Sequence, residues 1–400
     1  MRPFGELTPY EVARETALGM VGPLAEALRL PLAAAGGRVL REELRALLDV
    51  PGVDRAAMDG YALIAADVAG AGPDHAVALA PKGRALAGEL GEASVAAGEC
   101  WEIATGAPMP AGSDAVVPVE STRREGEAVL FLQAVGPGEH VSRRGEDLRA
   151  GDPIATAGQL VSPGIAAAAA SVGIAEALVG RSPRVLLVPT GDELVPLGEP
   201  LRRGQIYDSN SVALALLVAA SGGEAERASI VRDDPGALLE ALRRPAFDLV
   251  VTLGGTSVGR HDLVVDVVEA AGEVLVHGIA IKPGKPVLLA RLDDSPIIGL
   301  PGFPTSCLMT GYLFVEPLVR KLAGLPLDHR RRVSAVLEGT VSSPAGKRQF
   351  LTVKLDGDTA TPAFRTSSTM TSISAADGWI EIAAEDTELA ASTPVEVTLF

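Results

Sequence analysis

Between Arg184 and Leu322 short apolar runs alternate with helical stretches of about ten residues, and this alternation constrains the fold more than any other feature. RVLLVP leads to SVALALLVAA, EAERASIV to PGALLEALRR, and DLVVTLGG to HDLVVDVVEAA; VLVHGIA, PVLLA and PIIGL follow. Strands separated by helices predict a doubly wound parallel sheet. In such a sheet ligands bind outside the carboxyl ends of the strands.

The glycines fall at those ends. From Asp248 to Ser306 the chain reads DLVVTLGGTSVG, then IKPGKPVLLA, then IIGLPGFPTS. Glycine turns let backbone N–H groups approach an anion, and a helix N-terminus adds partial positive charge. Gly254, Gly255, Ser257 and Gly259 therefore read as a phosphate cradle. Lys282 and Lys285 supply point charges for oxyanions, and Pro301 to Ser306 form a turn that opens a helix. Gly255 to Gly259 also spells G-x-S-x-G, the nucleophile elbow of hydrolases, between a strand and a helix. Against that reading, no HGGG-like segment lies upstream and His261 is too close to Ser257 to complete the usual order. It would also leave the lysines unexplained.

Composition sharpens the point. The 400 residues carry a formal net charge of −16. That argues against nucleic acid and anionic membranes as partners, so an anionic ligand must be met by local cations. At about 100–200 residues per domain the length suggests two to four domains. Residues 1–49 with 148–178 read as a helical or extended N-terminal domain, with helix from Pro9 to Leu48. Residues 50–147 read as an all-β, barrel-like insert, 179–327 as the α/β domain, and 328–400 as a C-terminal all-β domain with a hairpin turn at Asp356-Gly357-Asp358. Cys100 and Cys307 are far apart, as expected of reduced, buried thiols in a cytosolic protein. The first residues lack an apolar signal region, and the uncharged run Pro153 to Ala175 is too rich in Pro, Gly and Ala for a membrane span, so a cytoplasmic location is expected. The histidines show no metal-ligand spacing.

Other turns carry chemistry or punctuation. Asp59 in AMDGYA precedes a glycine, as a plain turn would have it. Thr105 in WEIATGAP follows a strand, and Asp147 closes RRGED at a domain junction. Asp192 and Glu193 in PTGDEL follow the first sheet strand, where two carboxylates suit Mg²⁺ binding or proton handling; helix capping is the simpler role.

Taken in order, AMDGYA, TGAP, RRGED, PTGDEL, IYDSN, RDDP, GGTSVG with Asp262, IKPGKP and LPGFPTS together resemble the molybdopterin molybdenumtransferase family, of the bacterial MoeA type and similar to the gephyrin E domain. The resemblance covers almost the whole chain. It implies a MogA-like α/β domain within a multidomain α/β fold, and a transferase of molybdenum cofactor synthesis. That enzyme inserts molybdate into adenylylated molybdopterin with Mg²⁺-dependent release of AMP. It implies a homodimer in which the sheet domain of one subunit faces the C-terminal β domain of the other across the active cleft. A molybdopterin adenylyltransferase and other cofactor-synthesis proteins are possible partners. Catalytic roles fall on Asp59, Thr105, Asp147, Glu193, Asp233 and Asp262, with Asp59, Glu193 and Asp262 as metal ligands. Substrate binding falls on Gly254, Gly255, Ser257, Gly259, Lys282, Lys285, Pro301, Ser306, Arg348, Ser368 and Ser372. An adenylyltransferase or an inactive scaffold are the competing readings. The flanking domains disfavour the first, and retention of Asp59, Glu193, Asp262 and both lysines disfavours the second. Three departures stand out: Ala56-Ala57 precedes Met58, where the family often has Ser before Ala-Met-Asp-Gly; Thr256 replaces the Val of GGVSVG; and Phe303 replaces the Asn of LPGNPVS.

Overall fold

The computed structural model describes residues 6–88, 93–244, 246–255 and 263–400. The chain divides into two compact bodies. The first comprises Met1–Leu28, Gly37–Val39 and Val179–Phe400; the second comprises Arg29–Gly36 and Leu40–Leu178.

The first body contains the α/β sheet. Its six strands run in the order Glu224–Arg227, Arg184–Pro189, Leu249–Leu253, Ser295–Leu300, Leu288–Leu292, Glu273–His277. Alternate residues face opposite cores, as the two-residue period of a strand requires. Val185 and Leu187 join one core with the helices Asn210–Ala220 and Glu316–Ala323; Leu186 and Val188 join the other with the helices Pro235–Leu242 and Leu263–Ala271. This is why RVLLVP reads as one continuous apolar run. The first four strands are parallel; Leu288–Leu292 runs antiparallel to both its neighbours, so the edge strand Glu273–His277 points the same way as the first four. The wholly parallel expectation fails at Asp293-Asp294, both at positive φ, which join Leu288–Leu292 to Ser295–Leu300 in a two-residue turn. So short a connection can only make a hairpin.

The C-terminal segment closes on itself. Arg348–Asp356, Thr359–Pro362, Arg332–Leu337, Pro394–Leu399 and Gly378–Ile382 pair in sequence, and the last pairs back to the first. Closure removes the free edges. Asp356 lies opposite Thr359 and Gly357 has φ +56°, so the expected hairpin turn is present. Ile281–Lys282 adds a short parallel strand beside Arg348 and Gln349 and so joins the barrel to the α/β sheet.

The N-terminal segment departs from its reading. Helix stops at Gly19 instead of continuing to Leu48; Ala27–Pro31 and Leu44–Arg45 are strands, with a single helical turn at Leu32–Ala35. Prolines and glycines from Gly22 to Gly37 end the helix. Tyr10–Gly19 also joins the α/β body instead of a separate N-terminal domain. Its Ala13 and Ala17, with the following Met20, sit in the core beside Leu289, Phe314 and Leu318.

The second body holds a six-stranded mixed sheet in the order Ala115–Pro118, Gly60–Leu63, Glu99–Ile103, Val77–Ala85, Ala128–Phe131, Thr122–Glu125. A register shift between Pro81 and Gly83 lets one strand pair with Glu99–Ile103 on one side and Ala128–Phe131 on the other. Tyr61, Leu63, Cys100 and Phe131 fill its core. Both cysteines are free and buried. Burial pushes the Cys100 thiol up to about 12, and burial and then Asp208 raise Cys307. Pro163–Ser171 is a nine-residue helix capped by Ser162, and among the described residues no helix is long and apolar enough to cross a membrane.

Candidate functional site

The site lies where the sheet order reverses. From Arg184–Pro189 the chain crosses to Glu224–Arg227 on one side, then returns to Leu249–Leu253 on the other. The loops leaving the two diverging strands, Thr190–Glu193 and Gly254–Gly255, open a crevice at their carboxyl ends, the usual ligand position in such a sheet. Thr190 donates its N–H to Leu253 O at 3.2 Å, and Gly254 donates to Leu300 O at 3.0 Å. Gly254 has φ +102°, and a Cβ there would stand 2.8 Å from Thr190 O. Only glycine lets the loops approach so closely.

A cleft of about 940 Å³ occupies this place, within the size range of small-ligand sites. Glu193, Gly254, Gly255, Lys282, Lys285, Pro301, Ser306 and Ser368 all line it. The lysine turn is fixed from beneath. Gly284, at φ +104°, lies against Thr310, where a Cβ would come within 2.2 Å of its Cγ2. The Lys282 ammonium also stands 5.8 Å from the centroid of Phe364, a cation–π distance.

The closed barrel supplies another wall through Pro344, Lys347, Ser367 and Ser368. These residues belong to the same chain as the sheet. The segment Ser367–Thr369 is tied to the helix Pro304–Thr310: Thr305 donates its N–H to Ser367 O at 3.2 Å and its hydroxyl to Thr369 O at 2.5 Å.

A second hollow, of about 790 Å³, shares Thr190, Glu193 and Gly255 with the first and adds Asp233 and Asp266. Burial, then the charges of Asp192 and Glu193, raise the Asp233 carboxyl above its ordinary value. Among the described residues no group of three or more His, Cys, Asp or Glu side chains is arranged to hold a metal ion.

Several expected residues have other employment. Arg348 does not line the cleft; it donates to Glu381 at 3.1 Å, pairs with Glu11 and lies over Tyr10. Its neighbour Lys347 lines the cleft instead. Ser372 is fully buried, and its hydroxyl accepts from Arg365 N–H at 3.0 Å. Ser257, Gly259 and Asp262 lie outside the described residues.

Asp59, Thr105 and Asp147 belong to the second body. Asp59 Oδ1 accepts from the Thr105 N–H at 2.6 Å and its hydroxyl at 2.9 Å, and these bonds hold its carboxyl below the usual range. Asp147 is exposed in its turn. The arginines of RRGED are engaged locally, Arg143 with Asp54 at 2.7 Å and Arg144 with Asp49 at 2.6 Å.

IYDSN, to which sequence alone assigns no role, also contributes residues to the cleft. Asp208 is buried, lines the cleft and accepts from the Ser211 N–H at 3.0 Å, which ties down the start of Asn210–Ala220. Asn210 Nδ2 donates to Gly302 O at 2.9 Å, linking this turn to the Pro301 loop. An Asp followed at short range by Ser and an apolar helix was the available signal.

Three family descriptions match successive parts of the chain: "MoeA N-terminal region (domain I and II)" over residues 8–173, "Probable molybdopterin binding domain" over 187–321, and "MoeA C-terminal region (domain IV)" over 334–400. The chain is 37% identical to molybdopterin molybdenumtransferase 2 of Mycobacterium tuberculosis, covering 92% of this chain and 94% of that protein. It is 34% identical to the molybdopterin molybdenumtransferase of Synechococcus elongatus, covering 97% and 98%. A solved molybdopterin biosynthesis MoeA protein from Pyrococcus horikosii superposes with a TM-score of 0.82 at 36% identity, covering 98% of this chain and 99% of that one.

Proposed function

The chain belongs to the molybdopterin molybdenumtransferase family, and from that premise we propose that it inserts molybdate into adenylylated molybdopterin with release of AMP. One observation carries the reading: the glycine loop at Gly254, the Lys282 and Lys285 turn, and Glu193 all line one cleft at the reversal of the sheet. A phosphoanhydride and a tetrahedral oxyanion both need backbone N–H groups and cations, and hydrolysis of the anhydride also needs a carboxylate.

The chain's own residues divide the work. Lys282 and Lys285 bind the anionic end of the substrate and orient it. The N–H of Gly255, next to Gly254 whose own N–H is taken by Leu300 O, meets its phosphoryl oxygens. Glu193 accepts a proton from the water that attacks phosphorus, the phosphoanhydride P–O bond breaks, and AMP departs. Ser257, Gly259 and Asp262 belong to the same proposed site by resemblance, and the resemblance also gives catalytic roles to Asp59, Thr105 and Asp147.

Mg²⁺ fits the donor set that Glu193 and Asp233 offer. This ion keeps several waters and takes further ligands from substrate phosphates, so one or two carboxylates suffice. The crowding that raises Asp233 is relieved by a cation. When bound, Mg²⁺ neutralises charge on the phosphoryl oxygens.

The test is AMP release from adenylylated molybdopterin with Mg²⁺, with and without molybdate. Molybdate-dependent release with molybdenum in the pterin product is expected; tight substrate binding without release overturns the reading in favour of an inactive scaffold. A homodimer, in the cytoplasm and supplied by an adenylyltransferase, completes the proposal. A monomeric mass at micromolar concentration would contradict the dimer.

A further inference from the structure

The chain is poor in aromatic rings, with 8 Phe, 4 Tyr and 2 Trp in 400 residues. Nearly all those described are wholly or partly buried: Phe131 and Tyr61 fill the second body, while Tyr10, Phe314 and Phe350 pack edge to face in the first. Among the described residues only Phe303, at 61%, and Tyr207, at 39%, are exposed aromatics. Both line the same cleft. Their turns are linked by a side chain, since the Asn210 amide, three residues beyond Tyr207, donates to the carbonyl of Gly302 immediately before Phe303. Tyr207 is further anchored by its hydroxyl, which donates to Glu199 O at 2.9 Å. Exposed rings on anchored turns are costly to water unless a ligand covers them.

The cleft is also two-natured. Lys282 and Lys285 provide cations, whereas Phe303, Tyr207 and the exposed Ile206 provide apolar surface. A ligand that satisfies both has an anionic group joined to a flat ring. Phe303 stands where the family motif commonly carries Asn, so a hydrogen-bonding amide has given way to a π face.

We propose that Phe303 and Tyr207 form a stacking platform for the planar heteroaromatic ring of the substrate. The inference rests on the functional reading above and deepens it. Adenine and pterin share the required chemistry, and the two arms of the test separate them. Ring stacking is tolerant of ring identity, because every such base has a π face.

The experiment measures equilibrium binding of AMP and, separately, of pterin-6-carboxylate to the full chain. It compares wild type with Phe303→Leu, Tyr207→Leu, Phe303→Tyr and Tyr207→Phe. Removing a ring should weaken the stacked probe about tenfold, whereas the ring-retaining variants should stay close to wild type. Upfield ring-current shifts of the AMP protons, or quenching of pterin fluorescence, should vanish with the ring; a merely structural residue would not cause this. Loss in the AMP arm assigns the platform to adenine, and loss in the pterin arm assigns it to the pterin. If wild type binds a probe and both Leu variants bind it equally well, the platform is refuted and the functional reading stands. If wild type binds neither probe, both fall. If the Leu variants change the oligomeric mass but not probe affinity, the rings serve subunit contact and the proposal is overturned.

Discussion

The carboxylates of the two bodies meet opposite electrostatic conditions. In the second body, Asp59 accepts two hydrogen bonds from Thr105, and its carboxyl is lowered. In the first, Asp233 is partly desolvated beside Asp192 and Glu193, and its carboxyl is raised. The turn around Asp59 is electrostatically complete by itself, whereas the group around Glu193 carries a surplus of negative charge that a cation or a proton can answer. A carboxyl perturbed by burial and by neighbouring charges, in a hollow, marks a candidate functional site.

The largest expected effect tests that contrast directly. Glu193→Gln should lower AMP release by about 10²–10⁴-fold with no change in melting temperature. Asp59→Asn should also abolish release while the fold survives, as the resemblance assigns it to the chemistry. Full activity in Asp59→Asn beside a dead Glu193→Gln would leave the Asp59 turn with a structural role alone. Lys282→Ala comes next, with an expected loss of about 10²–10³-fold in kcat/KM, read in the same assay. A wild-type rate there would remove the lysine turn from the site.

Stability variants come third. Gly284→Ala forces a Cβ against Thr310 at positive φ, and Gly60→Ala forces one to within 2.0 Å of Val117 O in the second body. Each should destabilise by about 1–3 kcal/mol in denaturant titrations. Gly284→Ala should also lower activity by displacing the lysines, whereas Gly60→Ala acts through the second body. Equal activity losses at equal stability would erase the distinction between the two.

The smallest effects are pH-dependent; the carboxyl shifts behind them run in opposite directions, yet both effects are losses on acidification. Deprotonated Asp233 is needed to hold a cation, so activity should fall as pH drops through its raised value. Asp192→Asn removes one cause of that rise and should move the acid limb of the pH–rate profile to lower pH. Asp49 and Asp54 in the second body are held below the ordinary range, first by backbone N–H groups and then by Arg144 and Arg143. A lowered folded value means stability that is present above the unfolded pKa and lost as pH falls through the folded one. The second body should therefore weaken on acidification, and replacing Arg143 and Arg144 should flatten that dependence in melting curves.

The sequence by itself determined the sheet strands, their helices, the hairpin at Gly357 and the glycine and lysine turns, because those depend on residue periodicity and local backbone chemistry. RVLLVP and DLVVTL could not bury both faces in any other layered arrangement. It also exposed the cradle, since Gly254 and Gly284 mark backbone that no other residue adopts cheaply. Tertiary structure alone decided the rest. The one reversed strand, Leu288–Leu292, depended on two aspartates adopting positive φ. The docking of Tyr10–Gly19 depended on a core built mainly from residues far along the chain. Arg348 went to Glu381 and Glu11, leaving the cleft to Lys347, because strand register chose which neighbour faced inward. The two exposed rings among the described residues share one cleft, and the hydrogen bond from Asn210 to Gly302 ties their turns together across a long stretch of sequence. Contacts between distant segments are set by packing, and packing is not written in any local window of the chain.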